Sequence, residues 1–281
     1  MVTRLCRLAM AIALAAPAAP FAQARPVAEV AVQLSAPEAE QGVASDGTYV
    51  FAIDNSTIAR YRIADGRRLA VWHGDPALFP HINSCTLAQS ALVCAASNYP
   101  QRPQLSTIEF FDPETLAHTR SVSLGMAPGS LTVVMRHDDA WWAIFANYDG
   151  RGGDPVRDHR YTLLAQLDDE FGIQRGWALP QAVLDCLKPR SASGAAWTED
   201  GRLLVSGHDR PQIYVLSLPE AGGVLHYDGW FPVATNGQAI GVSSGSPGLI
   251  WSINRPTRQI VASVIPGDIS GEAPPCQSAV D

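Results

Sequence analysis

The stretch QGVASDGTYVFAIDN, from Gln41 to Asn55, decides the fold. A short run opening at Gly42 and a more apolar run from Tyr49 to Ile53 flank Asp46 and Gly47. An Asp-Gly pair between two apolar runs signals a tight hairpin, because both positions tolerate positive φ. The second run closes on Asp54 and Asn55. The same pattern recurs from Asn83 to Asn98, Gly129 to Asn147, Ser193 to Asp209 and Gln238 to Asn254. Each copy opens on a small or polar residue, turns once, and closes on Asn, Asp or His.

Two further strand-like runs follow each hairpin. In the first unit they are residues 57–62 and 68–72, around Asp65-Gly66. In the second they are 106–111 and 118–123, around Asp112-Pro113-Glu114. The third offers 162–167 and 174–178, and the fourth 212–217 and 223–227. Four short strands repeating every 40–50 residues or so make the blade of a β-propeller. Units starting near 41, 84, 130, 193 and 238 predict five blades. The fifth has a third strand at 258–264 but no fourth, and residues 27–34 supply it from the other end of the chain. Such closure hides two sheet edges. The expectation is therefore an all-β chain forming a single five-bladed propeller. Six blades are the alternative, if 129–190 hides an extra one. A short helix is expected within 179–187.

The run from Tyr49 to Tyr61, Ala64-Asp65-Gly66, and Arg68 to Trp72 resemble blades of YVTN/NHL-type propellers. These group with the quinoprotein amine dehydrogenase β-chain-like superfamily. The resemblance spans most of the chain as a pattern and the first blade as recognisable words. It implies the fold; activity does not follow, because propellers host many unrelated ones.

Composition narrows the function classes. The chain has 281 residues, 20 Lys+Arg against 27 Asp+Glu, and a formal net charge of −7. No basic face can be built from that balance, which argues against nucleic acid as a partner. A hydrophobic fraction of 47% supplies a core and rules out disorder as the main state. Arg4 and Arg7 precede a short apolar run ending at Ala16, and Ala22-Gln23-Ala24 has a small-x-small cleavage pattern. Residues 1–24 thus read as a secretory signal peptide, 25–267 as the propeller and 268–281 as a C-terminal tail. The mature chain is expected to be periplasmic or secreted, without a membrane span, and monomeric. In an oxidising compartment its cysteines suggest disulfides. Cys85 pairs with Cys94 across a hairpin, and Cys186 with Cys276 ties the tail to the body. Trp141, Trp142, Trp197 and Trp251 are expected to pack between blades.

A hairpin returns its chain to the end where it started. The residues opening each first strand and closing each second strand therefore share one rim. The ligand-binding candidates there are Gln41, Asn83, Asn98, Tyr148, Arg151, Arg157, His159, Ser193, Gln238 and Asn254. They would recognise a small molecule, a glycan or a protein. The connection 148–160 is long, Gly-rich and charged, as functional loops on rigid scaffolds often are. His208 and Asp209 are candidates for proton transfer, with His81 or His159 nearby. Oxygen donors on Glu40, Asp54, Asn98 and Asn147 suit calcium or another divalent cation. No motif demands a cofactor: there is no G-x-S-x-G, H-E-x-x-H, P-loop or dinucleotide fingerprint. The first reading is an exported binding propeller. The alternative is a metal-assisted hydrolase, lactonase or cyclo-isomerase at the same rim. The layout is similar to that of metal-dependent lactonase propellers. That resemblance implies Glu40, Asn98 and Asn147 around a calcium, but His208 stands where it would place a carboxylate. A glycoside hydrolase needs two opposed carboxylates, and Glu40 and Asp54 belong to one blade.

Overall fold

A computed structural model describes residues 27–267 together with Ile269, Gly271, Glu272, Pro274 and Cys276. The expected signal peptide lies outside the described residues, as does most of the tail.

The chain opens with β1 (Val30–Ser35) and then lays down four complete meanders. Blade one is β2 (Gly42–Ser45), β3 (Tyr49–Asp54), β4 (Thr57–Arg62) and β5 (Arg68–His73). Blade two is β6 (Ile82–Ala88), β7 (Ala91–Ser97), β8 (Leu105–Phe111) and β9 (His118–Met126). Blade three is β10 (Ser130–His137), β11 (Ala140–Ala146), β12 (Leu163–Leu167) and β13 (Ile173–Ala178). Blade four is β14 (Gly194–Trp197), β15 (Leu203–Ser206), β16 (Gln212–Ser217) and β17 (His226–Pro232). Blade five is β18 (Gly241–Val242), β19 (Leu249–Asn254) and β20 (Gln259–Val264), completed by β1. The closing pair is antiparallel, from Val30 opposite Ser263 to Ser35 opposite Gln259. The structure is thus a five-bladed β-propeller closed by its N-terminal strand. The stretch 129–190 holds one blade, one long connection and the helix α1 (Gln181–Leu187), not a sixth blade.

The core is distributed as five apolar clusters, one at each blade interface. Blades one and two, for example, share Phe51, Ile53, Ile82, Leu92 and Phe111. Blades five and one share Val43, Val50, Trp251 and Ile253. The four tryptophans named above are at most 7% exposed, as interface packing requires. The inner strands β2 and β14 are buried throughout, and β6 and β10 over their first four and six residues, because each faces a neighbouring blade on both sides. The outermost strands are more exposed, and β1 and β5 alternate between exposed and intermediate residues.

The turns follow from local chemistry. Asp46 Oδ1 accepts from the backbone N–H of Thr48 at 2.8 Å and of Tyr49 at 2.6 Å. Gly47 has φ +89°, and a Cβ there would lie 2.4 Å from the Gly245 backbone, so only glycine fits. Asp138 and Asp139 both take positive φ in the two-residue turn joining β10 to β11.

One strand boundary departs from expectation. The outer strand of blade four was expected at 223–227 but runs His226–Pro232. Leu225 instead donates its N–H to Ala178 O, and Ala178 donates to Gly223 O. The apolar run at Val224 and Leu225 is thereby diverted to the edge of blade three. Both expected disulfides are present, Cys85–Cys94 and Cys186–Cys276. They fit an oxidising compartment. Among the described residues no helix is long and apolar enough to cross a membrane.

Candidate functional site

The ladder register fixes one end of the channel. Gly42 lies opposite Ile53, Ser130 opposite Ala146, and Gly194 opposite Ser206. The openings of the inner strands and the ends of the second strands therefore meet at one mouth. All the long connections run there too, including 98–104, 147–162 and 179–193.

Tyr99 is the hinge of this mouth. Its ring lies 5.2 Å from that of His81 and 5.2 Å from that of Tyr148. Arg190 donates to its hydroxyl at 3.4 Å. A Cβ on Gly152 would come within 2.3 Å of the same ring, so the long loop can cover Tyr99 only because glycine stands there. His81 Nδ1 donates to Asn55 Oδ1 at 2.5 Å, and Gln41 Nε2 donates to the same oxygen at 3.3 Å. With Nδ1 carrying the proton, Nε2 is the acceptor atom of that ring. Burial first, then the nearby positive charges of His208 and Arg255, push the His81 pKa down to about 4. The ring is therefore neutral at pH 7.

The other charges are partly answered. His208 Nδ1 lies 2.5 Å from Asp209 Oδ1. That hydrogen bond, outweighing desolvation and helped by Arg190 and Arg255, holds the Asp209 carboxyl below its usual range. Burial pushes the Tyr148 phenol up, so it remains protonated. Arg255 is taken by Glu40 at 2.6 Å. Arg190, by contrast, meets no carboxylate within ion-pairing distance among the described residues; it donates to the Tyr99 hydroxyl and acts on Asp209 only through its charge.

The residues expected from sequence separate into groups. Gln41, Asn83, Tyr148, Ser193, Gln238 and His208 with Asp209 lie around this mouth. Asn83 is buried and donates to Leu131 O at 2.8 Å. Gln238 donates to His208 O at 3.2 Å. Asn98 closes its own loop, donating to Pro103 O and accepting from Leu105 N–H at 2.9 Å each. Asn254 accepts from Thr257 N–H within a turn. Arg157 binds Asp154 and Pro128 O inside the long loop, and Arg151 is exposed on it. The four side chains read as a cation set are each held by other contacts, though not through every oxygen. Glu40 holds Arg255 and Arg258, Asp54 holds Asn55, and Asn147 donates to Pro128 O and Tyr161 O. Only the Asn147 Oδ1 is left buried without a partner.

A different group could hold a metal ion. Ligand atoms of Asp149, Asp158 and His159 all lie within 4.8 Å of one another. In the chain alone they satisfy each other and their neighbours: His159 Nδ1 lies 2.8 Å from both Asp149 oxygens, and Arg160 binds Asp158. One imidazole with two carboxylates suits a transition metal better than calcium, which takes six to eight oxygens.

Solved structures place this architecture in context. The glutaminyl cyclase of Myxococcus xanthus superposes with a TM-score of 0.56 at 12% identity, covering 84% of this chain and 95% of that one. The PQQ-bound aldose sugar dehydrogenase of Streptomyces coelicolor gives 0.50 at 14% identity, covering 89% and 85%. The likeness is one of fold. No family model matches the chain, and no curated protein matches it. A cyclase and a dehydrogenase on one scaffold show why activity has to be argued from the mouth itself.

Sequence reasoning missed Arg190 altogether. It lies between α1 and blade four, where no period or motif marks it. His81 and Tyr99 stood in recognised segments, but nothing in the chain tells that Tyr99 would sit between His81 and Tyr148.

Proposed function

We propose that the protein is an exported propeller whose polar mouth binds a small molecule bearing a carboxylate or phosphate. The observation that carries this reading is Arg190, a half-buried guanidinium with no carboxylate within ion-pairing distance among the described residues, held beside the Tyr99 hydroxyl. A planar guanidinium is the side chain best matched to a two-oxygen anion. Tyr99 and Tyr148 give the ligand an aromatic wall, and their hydroxyls donate hydrogen bonds. His81, kept neutral, offers Nε2 to a ligand hydroxyl or N–H. The His208–Asp209 pair could move a proton at the same mouth, which keeps acid–base chemistry open to the bound molecule.

A thermal-shift series tests the reading. Succinate and inorganic phosphate are expected to raise the melting temperature, and neutral glycerol is not. A bound anion at about 100 times its Kd stabilises by roughly 2.7 kcal/mol, so a melting temperature that neither succinate nor phosphate raises at any concentration overturns the reading. Metal-assisted hydrolysis is the second reading, and Asp149, Asp158 and His159 alone favour it. Metal analysis of the purified protein, with and without Asp149→Asn, decides it.

A further inference from the structure

At the other end of the channel the same five inner strands leave a cavity of about 590 Å³. That volume is in the range of small-molecule sites, which run to about 300–1,000 Å³. Every inner strand contributes to its wall: Ala44 from β2, Thr86 from β6, Met135 from β10, Trp197 from β14 and Val242 from β18. The space exists because only short hairpin turns end the strands here, and small residues such as Ala44 and Ala196 stand where bulk would close it. Trp197 is fixed in place. Its ring stacks on His137 at 4.7 Å and 10°, and meets Trp142 edge-on at 5.1 Å.

The charges around this cavity are not balanced. Arg136 is paired with Asp169 at 2.9 Å, and Arg202 with Asp200 at 2.8 Å. Both lining guanidinium groups are thereby neutralised. Asp46 and Glu199 also line the cavity, and neither meets a cation within ion-pairing distance among the described residues. Asp46 spends one oxygen on its own turn and keeps the other. The cavity thus joins an apolar, aromatic interior to a rim with two unanswered carboxylates. Such a site favours a ligand with an apolar body and a cationic head, because the ammonium gains from carboxylates and aromatic faces where a neutral group does not.

We infer that this second mouth is a binding site for an organic cation, separate from the anion-binding mouth. Titration calorimetry with phenethylammonium against its neutral isostere 2-phenylethanol tests it. Phenethylammonium should bind with Kd below about 1 mM, at least tenfold tighter than the alcohol, and should quench tryptophan fluorescence. Raising the salt should weaken the ammonium and not the alcohol. Asp46→Asn combined with Glu199→Gln should remove the preference while leaving alcohol binding in place, which also reports that the cavity is still folded. Equal affinity for the two probes, absence of ammonium binding, or a preference that survives the double substitution would overturn the inference.

Discussion

Where the inner strands begin, Tyr99, Tyr148, His81, Arg190 and the His208–Asp209 pair crowd over the channel. Where they finish, the same strands end in two- to six-residue turns around an open cavity of about 590 Å³. The difference lies in the connections. Links between second and third strands, and between blades, all emerge at the first mouth and are free to lengthen. Links within hairpins emerge at the second and are held short by strand pairing. A propeller thus has one mouth that loops can furnish with charge and aromatic rings. Its other mouth depends on which side chains the strands themselves present.

The contrast can be broken at His81 first. In the unfolded chain this ring takes its proton as pH falls through about 6.5; in the folded mouth it does so only near 4. Its contribution is therefore complete above pH 6.5 and is lost as pH falls toward 4. The loss amounts to at most roughly 3 kcal/mol by linkage. Urea unfolding at pH 7 and pH 4.5 should show it, and His81→Asn should flatten that slope. An unchanged slope in the variant would mean that His81 is not held neutral at this mouth.

Tyr148 sharpens the comparison next. Tyr148→Ala removes the ring packed on Tyr99 and should cost about 2 kcal/mol, the lower part of the range for large-to-small changes because the side chain is only half buried. A variant as stable as the parent would show that the ring does not pack the mouth.

Much of this was legible in the chain. Asp46-Gly47 and its four counterparts announce the hairpins, and the missing fourth strand of blade five announces closure by residues 27–34. Cys85 and Cys94 stand opposite each other as the hairpin requires. The rim was legible as a ring because strand direction is fixed by turns. Its chemistry was less so. Glu40 reads as a cation ligand until Arg255 and Arg258, more than two hundred residues away, are folded onto it. Arg157 reads as a ligand-binding residue, but Asp154 takes it within the same loop. Pairing of this kind depends on loop conformation, which has no period to read. The second cavity is invisible for another reason: it is the sum of small residues on five separate strands.

Calorimetric titration of succinate into the parent and into Arg190→Ala tests the central claim most directly. Loss of one charged hydrogen-bonding partner, worth about 1.5–3 kcal/mol, should weaken binding roughly 10- to 150-fold, with the unfolding midpoint of the free protein unchanged. Equal affinity in the two proteins, or no succinate binding to the parent, would contradict the account of an anion-binding mouth.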